Sequence, residues 1–84
     1  MNITLQQTEK QINFSISKNH KKAVYWYEKS AKHGDAQAQN NLGLCYALGY
    51  GVSKDIKKAK YWLQKAADQG NENAKKALEI ISKK

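Results

Sequence analysis

The chain reads as an all-α protein, a short helical-repeat solenoid built from antiparallel helix pairs, and three observations carry that expectation. First, the sequence matches itself without a gap at an offset of 36 residues: Lys22-Ala23 over Lys58-Ala59, Tyr25 over Tyr61, Trp26 over Trp62 and Gly34 over Gly70. A fixed period in the thirties is the mark of stacked helix pairs, each burying its apolar face against the next. Second, apolar residues inside each unit recur at i, i+3, i+4, i+7 and i+8, the spacing of one helix face. Third, 84 residues with a single cysteine allow one small domain and no intrachain disulfide, so stability must come from regular helical packing.

Taken in order, Met1 to Asn13 stand where the first helix of the earlier unit belongs, and residues 1–16 read either as a degenerate helix using Ile3, Leu5 and Ile12 or as an extended arm. From residue 17 to 84 the repeat register holds, with helices expected over about 20–33, 36–48, 56–69 and 72–82. The first has Asn19 as its cap, Gly34 as its stop and the stripe Ala23, Trp26, Tyr27, Ser30 and Ala31. The second opens behind Asp35, carries Ala38, Leu42, Cys45 and Tyr46, and closes at Gly49-Tyr50-Gly51. Inside it, Gly43 trades about 1 kcal/mol of helix propensity for close approach of a neighbouring helix. The third runs from the cap Asp55 along Ala59, Trp62, Leu63, Ala66 and Ala67 to Gly70. The last follows Asn71 with Ala74, Ala77, Leu78 and Ile81, and its lysines solvate the end. Both tryptophans sit at the centre of their stripes and are expected in the core.

At this point the residues resemble a known family. Asn41-Leu42-Gly43-Leu44-Cys45-Tyr46, then Gly49 to Asp55, Lys58-Ala59, Trp62-Leu63, Lys65-Ala66-Ala67 and Gly70 look like one complete Sel1-like repeat. Lys22-Ala23, Trp26-Tyr27, Lys29, Ala31 and Gly34 resemble the back half of a preceding unit. Gln7 and Lys10 depart from the pattern, which wants Gly and Tyr there. The resemblance implies a right-handed, tetratricopeptide-like solenoid that acts as a scaffold or adaptor for protein complexes. It also implies that small bacterial members serve as partners or neutralisers of toxins, and it implies no catalysis.

The residues themselves offer no catalytic constellation. Cys45 lies in an apolar stripe without a histidine placed to activate it, and one thiol cannot build a zinc site or redox pair. His20 and His33 stand at opposite ends of one helix, and the carboxylates are scattered over caps and surfaces without a paired spacing for acid–base work. Gly49-Tyr50-Gly51 lacks the Gly-Lys-Ser/Thr that cradles phosphate. No enzyme, cofactor or metal is therefore expected. The apolar runs are too short to span a membrane and no secretory signal is recognisable, which leaves the cytoplasm as the expected location.

Two surfaces remain. On the inner face of the first helices of each unit, Gln37, Asn40, Leu44 and Leu48 form one mixed stripe, and Asn73, Lys76 and Ile80 follow one unit later. Such a stripe suits a protein partner, although Ile80 also fits as part of the terminal core. On the opposite face, Lys18, Lys21, Lys22, Tyr25, Lys29 and Lys32 share an arc that Lys54, Lys57, Lys58, Tyr61 and Lys65 repeat. The net charge of +8 comes from lysine alone, with no arginine. Lysine attracts polyanions without the bidentate contacts of sequence-specific readout, and a solvated outer face is the favoured reading of the ridge. The reading is a non-catalytic protein-interaction module, an adaptor or a small inhibitor or immunity-type partner. The alternative is a lysine-driven RNA or polyanion binder without sequence specificity. With fewer than two complete units, the apolar end at Ala23, Trp26 and Tyr27 needs a cover: Met1 to Asn13, a second copy of the chain, or a partner.

Overall fold

The computed structural model describes residues 20–83, and the calls on the arm 1–16, Lys18 and the cap Asn19 lie outside them. Four helices occupy the described residues: α1 over residues 20–32, α2 Ala36–Leu48, α3 Ile56–Asp68 and α4 Glu72–Ser82. Three of them start at a side chain that accepts a backbone N–H otherwise left without a partner. Asp35 takes Ala38 N–H at 3.0 Å, Asp55 takes Lys58 N–H at 3.0 Å and Asn71 takes Ala74 N–H at 2.9 Å.

The turns after α1 and α3 are built alike. Gly34 N–H donates to the Ala31 carbonyl and Asp35 N–H to Ser30; one unit later Gly70 N–H donates to Ala67 and Asn71 N–H to Ala66. This double bond pattern needs a left-handed residue at the glycine, and both glycines have φ of 95°. The residue closing each turn, Asp35 or Asn71, is also the cap of the next helix. One three-residue device thus ends a helix, reverses the chain and starts its neighbour.

The helices share a core in two joined clusters. Val24 and Ala31 of α1 pack with Ala38, Leu42 and Cys45 of α2, while Ala59, Leu63, Ala66 and Ala67 of α3 pack with Ala74 of α4. Tyr46 touches both clusters, and Trp62 reaches from α3 onto the first. Gly43 sits where α3 crosses α2: a Cβ there would lie 2.6 Å from Leu63 Cγ and 3.1 Å from the Ala59 carbonyl oxygen. The missing side chain is what lets the two helices meet. Gln39, also buried, ties three elements together. Its Nε2 donates to the Ala31 carbonyl at 3.1 Å, and its Oε1 accepts from Gln69 Nε2 at 2.9 Å.

Two sequence expectations fail here for one reason. Trp26, expected in the core, is 60% exposed; Ser30 of the same stripe is exposed too, while the unforeseen Val24 is buried. In α3 the equivalent face packs on the preceding α2, whereas among the described residues no helix precedes α1. Asn40, expected on a presented face, is only 3% exposed. Because α2 lies among α1, α3 and α4, its buried arc widens beyond Ala38, Leu42 and Cys45 to take in Gln39, Asn40 and Gly43. Among the described residues no helix is long and apolar enough to cross a membrane.

Candidate protein-interaction surface

A solenoid places equivalent residues of successive units side by side, so a stripe on one helix continues on the next. Of the mixed stripe expected on α2 and α4, Leu48 and Ile80 come together. Both remain well exposed, at 56% and 64%, and both line a groove of about 400 Å³. Three helix ends form it: the last turn of α2, the first turns of α3 and the last turns of α4. Its apolar wall is Ala47, Leu48, Ile56, Ile80 and Ile81, with Lys54 and Lys60 beside it. Ile81 is half-buried against the core, whereas Ile56 is exposed.

The other members of that stripe divide. Leu44 is half-buried against the α3–α4 core and, together with Leu48, lines a smaller hollow of about 250 Å³ against Ala23 and Tyr27 of α1. Leu48 is therefore common to both hollows. Gln37, Asn73 and Lys76 are exposed but lie outside the groove, and Asn40 faces inward with its Oδ1 unpartnered. Ile56 and Lys60 were not among the expected site residues: His20 and Val24 stand at the matching positions of the first unit, but that difference alone does not place them beside Leu48 and Ile80.

On the outer face, Lys21, Lys22, Tyr25, Lys29 and Lys32 of α1 are exposed, as are Lys57, Lys58, Tyr61 and Lys65 of α3 and Lys54 before it. The repeat holds down to side-chain geometry. Tyr25 meets Trp26 edge to face at 5.2 Å with Lys29 Nζ 4.7 Å above the tyrosine ring; Tyr61 meets Trp62 at 5.0 Å with Lys65 Nζ 5.3 Å above it. Each ammonium, one helical turn along, covers a ring face that would otherwise be open for stacking. Lys58 Nζ likewise lies 5.4 Å from the centre of the half-buried Tyr46 ring.

Cys45 is 7% exposed, and burial pushes its thiol above the ordinary range, the opposite of what an attacking thiolate needs. Tyr46 is raised as well, first by burial and then by the negative charges of Glu28 and Asp55. Both groups belong to packing.

The Sel1 repeat model matches residues 12–35 and 36–71, together more than half of the sequence. The chain belongs to the Sel1 repeat family. Sel1 repeats are generally protein-interaction modules and typically non-catalytic. No curated protein and no solved structure matches the chain.

Proposed function

We propose that this Sel1-repeat chain is a non-catalytic module that binds another protein through the face carrying Leu48 and Ile80, as an adaptor or as a small inhibitor or immunity-type partner. The observation that carries the reading is the pair of well-exposed aliphatic side chains meeting at one groove. Exposed apolar residues scattered singly need no explanation, but a contiguous set around a concavity is where protein surfaces associate. The alternative, RNA or polyanion binding along the lysine ridge, has a weaker basis, because the chain has no arginine for bidentate phosphate contacts and Lys29 and Lys65 each lie over one face of the tyrosine rings.

Affinity capture with the tagged full chain tests this reading in three arms: rising salt, added nuclease, and the Leu48→Asp variant. The module reading expects a protein whose recovery survives nuclease and moderate salt and falls at least tenfold with Leu48→Asp. Recovery of RNA that vanishes steeply with salt, and with Lys29→Glu/Lys65→Glu, would overturn it in favour of the ridge.

A further inference from the structure

At the groove the second unit departs from the first at two positions. In unit one Val24 is buried against α2 and His20 stacks on Tyr50 with ring centres 4.7 Å apart. One period later the same positions are Lys60 and Ile56. Lys60 is exposed rather than packed, and Ile56 is 38% exposed. The groove has an aliphatic floor of Leu48, Ile56 and Ile80 with two ammonium groups beside it and, among the described residues, no carboxylate lining it.

We infer that this groove takes an acidic amphipathic segment of another protein, one that sets aliphatic or aromatic side chains on the floor and carboxylates against Lys54 and Lys60. The inference rests on the interaction-module reading and deepens it by naming the partner's chemistry. Charge selects among occupants. A second copy of this chain would carry another +8 to the same lysines. An acidic partner meets no such repulsion, and long-range attraction to a lysine-rich chain speeds its encounter.

The test uses the full chain with methyl-labelled leucine and isoleucine and three synthetic peptides: a helix-forming peptide of leucine and glutamate, the same peptide with lysine for glutamate, and the acidic peptide with serine for leucine. The acidic apolar peptide is expected to shift the methyl signals of Leu48, Ile56 and Ile80, with the other two binding at least tenfold more weakly. Ile80→Asp should weaken binding at least tenfold. Lys54→Glu/Lys60→Glu, both at exposed positions, should turn the preference toward the lysine peptide while far-UV helicity is kept. Equal binding of both charge types, or binding that leaves the Leu48, Ile56 and Ile80 methyl signals unmoved, would overturn the inference. Contacts from residues 1–19 to Ile56 or Ile80 in the peptide-free chain would overturn it by giving the groove to the chain itself, and concentration-dependent shifts there would give it to a second copy. A captured protein indifferent to Ile80→Asp would remove the groove but leave the module reading standing; RNA in place of any protein would remove both.

Discussion

At Gly43 a single hydrogen separates a packed pair of helices from a collision. Gly43→Ala improves helix propensity by about 1 kcal/mol but places its methyl 2.6 Å from Leu63 Cγ, inside a wall that is fully buried. Overpacking of this kind costs about 1–3 kcal/mol, so the urea midpoint is expected to fall despite the better helix former. The two tryptophans should part company in the same assay. Trp26→Ala, removing a ring that is 60% exposed, is expected to cost less than Trp62→Ala, which strips cover from the α1–α2 core and should cost more than about 2 kcal/mol. Cys45 gives a signature in pH. Its folded thiol titrates above the ordinary value of 9.0, so the folded state holds its proton longer than the unfolded one. The stability this contributes is complete below the ordinary thiol range and lost as pH rises through the raised folded value. Tyr46 adds the same sign at still higher pH. The urea midpoint should therefore fall on the alkaline side, later in Cys45→Ala than in the parent, and Ellman's reagent should label Cys45 at the rate of unfolding.

Among the elements, α2 does most to hold the molecule together, and Gln39 is its least replaceable polar residue. Gln39→Leu loses the bonds to Ala31 and Gln69 and is expected to cost about 1–3 kcal/mol. Gln39→Glu sharpens the test. An ionised carboxylate cannot donate to the Ala31 carbonyl, so its folded-state pKa is raised and stability should recover as acid protonates it, a pH trend that a merely volumetric role for Gln39 would not produce. The caps Asp35, Asp55 and Asn71 and the stops Gly34 and Gly70 were legible in the sequence, because capping and left-handed turns depend on local chemistry that a few residues carry. The helical-repeat fold was legible for the same reason, twice over, through the 36-residue period. Burial was less so. A stripe at helical spacing marks an inward face only when the number of flanking helices is known, and α1 has fewer described neighbours than α3, while α2 has more. Trp26 was therefore placed too deep and Asn40 too shallow. Of the groove, Leu48 and Ile80 were legible as members of one stripe. Ile56 and Lys60 belong to a different helix, and only the three-dimensional convergence of three helix ends brings them beside it.

For the whole molecule, the apolar edge of α1 at Trp26 sets the next expectation. Ala23 and Tyr27 beside it are half-buried, and residues 1–13, which lie outside the described residues, are the cover expected from the sequence. Deleting them should lower the melting temperature by at least about 5 °C, the shift that about 1 kcal/mol produces in a domain of this size, or produce association that sedimentation detects. An unchanged melt and a monomeric species would assign the cover elsewhere. The central claim, that the molecule works by presenting the Leu48 and Ile80 face to another protein, is met most directly by amide hydrogen exchange on the full chain, free and in complex with the protein it captures. The account predicts added protection in the last turns of α2 and α4, around Ala47–Leu48 and Glu79–Ile81, with Tyr25–Lys29 and Tyr61–Lys65 unchanged. Protection confined to those outer segments, leaving the ends of α2 and α4 as they were, would contradict it.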